Sequence, residues 1–326
     1  MLILLCSVRL VVRSPPFHGG CTGSNPVPST MKIVVTGGSG LLGTYLQKEM
    51  DAIYLNSSQY DLTNETDVQV MFQTLKPDVV IHLSAKACGM FDNMSRPLYF
   101  LEENVLMNTL MIKYSRLYNV KKFIGTLSTC IYPDVVDHYP LLETDLHYGL
   151  PHVNNIAYGY AKRLMGVHID VSKKQGLDYS YIIPSNLYGL YESGDITNKH
   201  FLGALLDKIK TANQTGSDFI TVLGTGSPLR QFTYAKDVAK IIKLIVDNDV
   251  SENMNVGTHE NLSIKQMTEM ALVATDSTHL RIEWDTSKED GQYRKDVDCS
   301  ILYKNFPNFK FTNFIDGVKE TYHRLS

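Results

Sequence analysis

The sequence predicts an α/β protein built on a doubly wound parallel sheet, with a smaller domain toward the C-terminus. Three observations support this prediction: short apolar runs alternate with helical segments from Met31 to about residue 184, a glycine-rich loop directly follows the first run, and the regularity weakens afterwards. Strands that alternate with helices pair in parallel, because each helix carries the chain back to the same end of the sheet.

The elements of the first part can be justified in order. The first strand is expected at Lys32–Thr36, followed by helical spacing over Gly40–Met50. The same alternation continues with a strand at Ala52–Leu55, a helix at Asn64–Leu75, a strand at Val79–Leu83, a helix at Pro97–Tyr118, a strand at Lys122–Leu127, a helix at Tyr158–Lys174 and a strand at Tyr179–Ile183. Asn64 is a suitable N-cap, and Pro77 separates its helix from the next strand. Further helices are expected near Phe201–Lys210 and at Asp237–Asp247.

The composition excludes several classes of protein. The 326 residues are 44% hydrophobic and 20% charged, and the formal net charge is -3, so no global basic field would recruit nucleic acid or an acidic membrane. No apolar run approaches the roughly 20 residues that span a bilayer. The five cysteines are scattered without a CxxC pair; they are Cys6, Cys21, Cys88, Cys130 and Cys299. We therefore expect no disulfide framework, no metal site and a reducing cytoplasmic setting.

The first thirty residues differ from the rest of the chain. An apolar start with no preceding basic residue leads into a Pro/Gly/Ser-rich stretch that has neither helical nor strand periodicity. We expect residues 1–30 to be a non-native or disordered upstream extension without a catalytic role. A degenerate export or lipid-anchor signal is the alternative.

The glycine-rich loop predicts a dinucleotide site. Gly37, Gly40 and Gly43 form a GxxGxxG pattern between the first strand and its helix, and Leu41 within this pattern is expected to contact the cofactor with them. The first glycine permits a tight turn, the second lets backbone amides approach a pyrophosphate, and the third lets the helix pack on the strand. Residues 31–184, joined by about 232–258, are therefore expected to form a Rossmann-type NAD(P)-binding domain. Residues 185–231 and 259–326 would form the substrate-binding domain.

The end of the second strand leaves the choice between NADP and NAD open. An acidic residue there would hold the ribose hydroxyl of NAD, and an arginine would accept the extra phosphate of NADP. The segment Asn56–Gln59 contains neither residue type. Asp61 follows the strand end and is better placed on the adenine side.

Tyr158 and Lys162 are separated by one helical turn and form a candidate proton-transfer pair. The lysine charge would lower the pKa of the phenol, which could then exchange a proton with a carbonyl or alcohol. Tyr118 and Lys122 have the same spacing, but they straddle a helix end and a strand start, which indicates a structural role. Ser128 supports the first pair, because it follows a strand end and its hydroxyl could share the oxyanion.

Several motifs together resemble one family. STCIYP at residues 128–133, YGYAK at 158–162, PSNLYG at 184–189, NKHFLGALL at 198–206 and GTGSPLRQF at 224–232 are similar in order and spacing to the GDP-L-fucose synthases. The similarity covers residues 31–326. It implies NADP-dependent 3,5-epimerisation and 4-reduction of a GDP-4-keto-6-deoxy-hexose by a homodimer.

The resemblance also implies roles for particular residues. Cys130 and His200 would be the acid and base of the epimerisation, since a C4 ketone acidifies the C3 and C5 protons. The alternatives are an inert buried cysteine and a helix-capping histidine. The implied cofactor contacts are Pro184, Asn186, Leu187 and His200. The implied substrate contacts are Asn186, Lys208, Arg230, which would grip the pyrophosphate, and Asp290.

Departures from the family pattern keep alternatives open. Ser39 and Asn56–Gln59 replace basic residues, which predicts a smaller preference for NADPH over NADH. Leu223 replaces an aromatic residue on the nucleobase side. Another sugar-nucleotide 4-reductase or a 4-epimerase is the alternative function. A 4,6-dehydratase is disfavoured, because Cys130 and Ile131 replace the acidic pair of such enzymes. A noncatalytic NAD(P) sensor is disfavoured by Ser128, Tyr158 and Lys162.

Overall fold

The computed structural model describes residues 31–87, 90–190, 200–288 and 290–324. Six parallel strands form the main sheet in the order β2-β1-β3-β4-β5-β9. These strands are β1 (Ile33–Thr36), β2 (Ile53–Leu55), β3 (Val79–His82), β4 (Lys122–Thr126), β5 (Asp178–Pro184) and β9 (Met254–Val256). The predicted doubly wound, Rossmann-type parallel sheet is confirmed. The extension expected at residues 1–30 lies outside the described residues.

Helices connect these strands and cover the sheet. They are α1 (Leu41–Leu46), α2 (Glu65–Leu75), α3 (Met90–Ser95), α4 (Pro97–Leu117), α5 (Ile156–Lys174) and α7 (Ala235–Asp247). Asn64 caps α2 as predicted, since its side chain accepts hydrogen bonds from the amides of Thr66 and Asp67. Helix α4 packs along α5, and α7 packs on α1.

The first helix is shorter than the helical spacing of its apolar residues predicted. Helical spacing runs over Gly40–Met50, but α1 ends at Leu46 and the chain continues in turns. The amides of Lys48 and Glu49 donate to carbonyls three residues back, which tightens the end of the helix. The apolar pattern therefore extends past the regular helix.

A second group of elements lies beyond residue 184. A three-stranded sheet has the order β10-β8-β6 and a two-stranded sheet pairs β11 with β7. The elements are β6 (Asn186–Tyr188), α6 (Phe201–Thr215), β7 (Phe219–Leu223), β8 (Leu229–Tyr234), β10 (Asn261–Ser263), α8 (Ile264–Ala274), β11 (Arg281–Asp285), α9 (Ser300–Asn305) and α10 (Phe314–His323). The assignment of a substrate-binding role to this group stays a prediction.

The order of the main sheet creates a crevice between β1 and β3. The chain crosses from β1 to β2 on one side and returns to β3 on the other, so the strand order reverses between β1 and β3. Ligands of open α/β sheets bind beyond the carboxyl ends of the strands at such a reversal. Within the residues described, no helix is long and apolar enough to cross a membrane.

Candidate active site

The glycine-rich loop fits closely against the end of β3. Gly37 has a φ of 72°, and a Cβ there would lie 2.8 Å from the backbone nitrogen of Ser84. A Cβ on Gly43 would lie 2.3 Å from the carbonyl oxygen of Gly37, so helix and loop approach more closely than any side chain allows. Gly40 is less crowded, because only the Gly37 oxygen would come near its Cβ, at 3.3 Å. This open position, at the start of α1, suits the approach of a phosphate to backbone amides.

The segment that carries Cys130 follows β4 and is anchored on α5. Ser128 precedes a short 3-10 helix at residues 129–131, and its hydroxyl oxygen lies 3.5 Å from the Cys130 amide nitrogen. The guanidinium of Arg163 on α5 donates to the carbonyls of Ile131 and Gly149. A Cβ on Gly159 would lie 2.8 Å from the Cys130 carbonyl oxygen. The glycine of the YGYAK motif thus allows the Cys130 segment to lie against the helix that carries Tyr158.

Lys162 is buried beneath this segment, with a side chain only 1% exposed. Its ammonium donates to the carbonyl oxygen of Thr126, at 2.8 Å, and lies 5.9 Å from the ring centroid of Tyr158. Burial lowers the pKa of Lys162 to about 8. The predicted pair of Tyr158 and Lys162 is therefore in place on α5, one turn apart.

Cys130 opens onto a cavity of about 70 Å³. The lining residues are Cys130, His152, Asn155, Arg230, Gly291, Gln292 and Lys295. Burial raises the pKa of the Cys130 thiol, while Ser128, Lys295 and Lys162 act in the opposite direction. Burial lowers the pKa of Arg230 to about 10 and that of Lys295 to about 8. Cationic groups and one thiol therefore share a small, partly enclosed space.

His200 lies at the N-terminal end of α6 but does not cap it. Its side chain makes no capping hydrogen bond, which argues against the purely structural alternative. The residue is exposed at the surface, and partial desolvation together with the charge of Lys295 lowers the pKa of the imidazole. Both effects favour the neutral imidazole, the form that can accept a proton.

Comparisons with known proteins agree with this geometry. The model of the NAD dependent epimerase/dehydratase family matches residues 33–257. A GDP-L-fucose synthase of Dictyostelium discoideum is 34% identical over 90% of this chain and 94% of its own length. The chain belongs to the GDP-L-fucose synthase family.

Two further members support this placement. A probable GDP-L-fucose synthase of Drosophila melanogaster is 33% identical over 88% of this chain and 94% of its own length. The crystal structure of a GDP-L-fucose synthetase from Naegleria fowleri bound to NADP has a TM-score of 0.81 and 32% identity. The match covers 90% of this chain and 92% of that one.

The residues assigned to the substrate through the synthase family lie on separate elements, and Arg230 is the one of them that lines the cavity. Asp290 accepts hydrogen bonds from the amide and hydroxyl of Thr225, and its charge acts on Arg230. Lys208 lies on α6 and donates to the carbonyl of Thr221, at 2.8 Å. Asn186 begins β6, opposite Phe232, so it belongs to a strand and not to a simple turn. Their contacts with a substrate stay predictions.

The residues assigned to the cofactor follow the strands of the main sheet. Asp61 comes after β2 and accepts from the amide and hydroxyl of Thr63, which lowers its pKa. Pro184 ends β5, and Leu187 lies in β6 opposite Thr233. The glycine loop and the buried Lys162 suit the pyrophosphate and the nicotinamide ribose of a dinucleotide. Elsewhere in the described ranges, His, Cys, Asp and Glu side chains form no group of three that could hold a metal ion.

Five of the residues that line the cavity were not identified from the sequence: His152, Asn155, Gly291, Gln292 and Lys295. His152 and Asn155 precede α5, and Asn155 stands three residues before Tyr158, a spacing that brings it to the same helix end. Lys295 lies far along the chain, next to Arg294 and Asp296. No local pattern marks Lys295, because its position depends on long-range pairing of the C-terminal segment.

Proposed function

We propose that this protein catalyses the NADPH-dependent 3,5-epimerisation and 4-reduction of a GDP-4-keto-6-deoxy-hexose, giving GDP-L-fucose or a close relative. The observation that carries the proposal is the position of Cys130. Its thiol lines a cavity with Arg230, and its backbone lies against the helix of Tyr158 and Lys162. An acid/base group for the carbon centres thus adjoins the pair suited to reduce the ketone.

In the epimerisation, Cys130 and His200 would exchange protons at the carbons beside the ketone. Inversion requires a base on one face of the sugar and an acid on the other, and the ketone oxygen carries the enolate charge in between. The hydroxyl of Ser128 and the phenol of Tyr158 would stabilise that oxygen. Arg230 would hold the pyrophosphate through charge-assisted hydrogen bonds.

In the reduction, Tyr158 would deliver a proton to the ketone oxygen. Bound NADPH supplies the hydride. Lys162, held by the Thr126 carbonyl, would place its positive charge beside the phenol and the ribose of the cofactor. Because Asn56–Gln59 offers neither an acid nor an arginine, we expect NADPH to be used with a smaller preference than an arginine would give.

The two half-reactions can be tested separately with GDP-4-keto-6-deoxy-mannose. Cys130→Ser should suppress solvent-deuterium exchange at C3 and C5 by about 10²–10⁴-fold, the usual cost of removing an acid/base group. Tyr158→Phe should stop hydride transfer while some exchange persists. NMR of the exchanging protons and absorbance of NADPH provide the two measurements.

Cofactor affinity and far-ultraviolet circular dichroism of both variants serve as controls for folding. If a folded Cys130→Ser variant exchanges both protons at the wild-type rate, the epimerase assignment is wrong. A 4-reductase would then be the better description of the enzyme.

A homodimer in a reducing, cytoplasmic setting completes the proposal. Apolar side chains are exposed on α4 and α5, where a second copy could cover them. Cys130 and Cys299 are free thiols, as a reducing compartment would keep them.

A further inference from the structure

Lys295 is held in place by the residues on either side of it. Arg294 donates to Asp296 through two nitrogens, at 2.5 and 2.9 Å. The carbonyl of Asp296 accepts from the amide of Leu141, at 2.9 Å, and the amide of Val297 donates to the side chain of Gln231, at 2.9 Å. The backbone around Lys295 is therefore fixed from both sides, while its own side chain lines the cavity that contains Cys130.

The other cations of the site have acceptors, whereas Lys295 has none among the described residues. Lys162 donates to the Thr126 carbonyl, and Arg230 donates to the carbonyls of Leu229 and Tyr293. No carboxylate or carbonyl in the described part of the chain pairs with the ammonium of Lys295. A half-buried cation without a partner is costly, so a position that retains one points to an anion that forms during function.

Among the protein side chains that line this cavity, Cys130 is the one that can become that anion before a substrate pyrophosphate binds. The other ionisable groups that face Cys130 or Lys295 are Lys162 on α5, Arg230 on β8 with Asp290 beside it, His152 before α5 and His200 before α6. Burial disfavours the thiolate, and Lys295 opposes this effect. Of the groups that favour the thiolate, Lys295 is the cation with no other acceptor among the described residues.

We propose that Lys295 is a positioning residue for Cys130: its ammonium stabilises the thiolate that removes the proton from the sugar carbon. The inference rests on the proposed role of Cys130 as a base. When the thiolate takes the proton, the electron pair of the C–H bond moves to the ketone oxygen, so one negative charge leaves sulfur and one appears on the enolate. Lys295 keeps its proton throughout and lies near the anion both before and after the step.

The test is the titration of Cys130 in the NADP-saturated enzyme without any sugar. The rate of alkylation by iodoacetamide, followed on the Cys130 peptide by mass spectrometry, reports the thiolate fraction at each pH. Lys295→Met should raise the midpoint of this profile by about 1 pH unit or more, as expected on removing a positive charge that lines the same cavity and favours the thiolate. Below the midpoint, alkylation should be at least about tenfold slower, and Lys295→Arg should restore most of the rate.

Two comparisons make this result specific. Lys243→Met removes an exposed lysine of α7 that pairs with Asp247, and it should leave the midpoint unchanged. The ultraviolet absorbance of the thiolate, taken as the difference from Cys130→Ser, gives the same midpoint without a reagent. An unchanged midpoint in folded Lys295→Met and Lys295→Gln variants would overturn the proposal.

Thermal unfolding distinguishes this role from a purely structural one. Because burial lowers the pKa of Lys295, the charged lysine is unfavourable to folding, and Lys295→Met should have a Tm at or above that of the wild type near pH 7. A structural lysine would instead lower the Tm on removal. The titration uses no substrate, so it stands even if Cys130→Ser exchanges sugar protons normally and the proposed function fails.

Discussion

At the scale of single residues, the burial of Lys162 lowers the stability of the folded protein, although the proposed function needs this lysine at that position. Its pKa is lowered by burial to about 8 in the folded protein, against the ordinary value of 10.5 for a lysine. The unfolded chain therefore binds more protons between these values, and stability rises as the pH increases through that range. Below about pH 8 the lysine is charged in both states, and the folded protein carries the full cost of the buried charge.

We predict that Lys162→Met stabilises the protein near pH 7 while abolishing reduction. The buried charge costs on the order of a few kcal/mol, and loss of the hydrogen bond to Thr126 offsets about 1 kcal/mol of it. Denaturant unfolding at pH 7 and pH 10 measures the effect, and the gain should shrink at the higher pH. A variant that is less stable than the wild type at pH 7 would contradict this account.

Residue spacing alone does not distinguish the catalytic pair from a similar structural pair. Tyr118 and Lys122 have the same separation as Tyr158 and Lys162, and the structure confirms the structural interpretation. Lys122 begins β4 and pairs with Asp178 at 2.5 Å and with Asp249 at 2.8 Å. What separated the two pairs in the sequence was their context, since one spans an element boundary and the other lies inside a helix. Ser128, whose hydroxyl could share the oxyanion with Tyr158, then favoured the pair inside the helix.

At the scale of elements, the contact between α5 and the Cys130 segment determines where the thiol lies. Gly159→Ala adds a Cβ at 2.8 Å from the Cys130 carbonyl, and backbone atoms cannot rotate out of the way. In an isolated helix this change would stabilise by about 0.5–1 kcal/mol. Here we predict a lower Tm and at least about tenfold slower C3 and C5 exchange, because the Cys130 segment must shift.

Gly166→Ala on the same helix is the matched control. The nearest atom to its new Cβ is a methyl carbon of Leu127, at 3.2 Å, which can move by rotation of a side chain. We expect its Tm and exchange rate to stay close to those of the wild type. Equal losses in both variants would mean that helix α5, and not the contact with Cys130, is the sensitive feature.

Local patterns predicted the elements well, and long-range pairing explains what they missed. The periodicity of the apolar residues and the capping residues predicted the ends of the strands β1 to β5 and of the helices α2, α4 and α5 to within about two residues. The three-stranded and two-stranded sheets after residue 184 were not predicted, because each joins short segments that are distant in sequence, such as Asn186–Tyr188 with Leu229–Tyr234. The strands β6 and β10 have three residues each, which is too short to show a period of their own.

At the scale of the whole molecule, the net charge of the chain does not reveal that the cavity is cationic. The chain has a formal net charge of -3, but Arg230 and Lys295 line the cavity, and the buried Lys162 acts on the thiol of Cys130 in the same cavity. A cationic cavity in an acidic protein favours the binding of an anionic substrate at that cavity. Composition excluded a general polyanion binder, but it could not locate this cavity, because Lys295 reaches it only through the fold.

The exposed apolar face of α4 and α5 leads to a prediction about assembly. Leu164, Val167 and Val171 are 48%, 37% and 52% exposed and lie three and four residues apart on α5. On α4, Leu98 and Leu106 are 67% and 46% exposed. Packed across a two-fold axis, these two helices and their copies would form a four-helix interface that removes this apolar area from water.

We therefore predict a dimer of about twice 36.7 kDa, which Leu164→Glu with Val171→Glu converts to a monomer. Two carboxylates at the centre of the interface would be buried next to their own copies, and the cost of desolvation and repulsion exceeds the apolar gain. Val70→Glu is the control, because Val70 is 45% exposed on α2, outside the proposed face. Light scattering over a range of concentrations measures the mass. A wild-type mass of one chain at every concentration, or dissociation by Val70→Glu as well, would show that α4 and α5 do not form the interface.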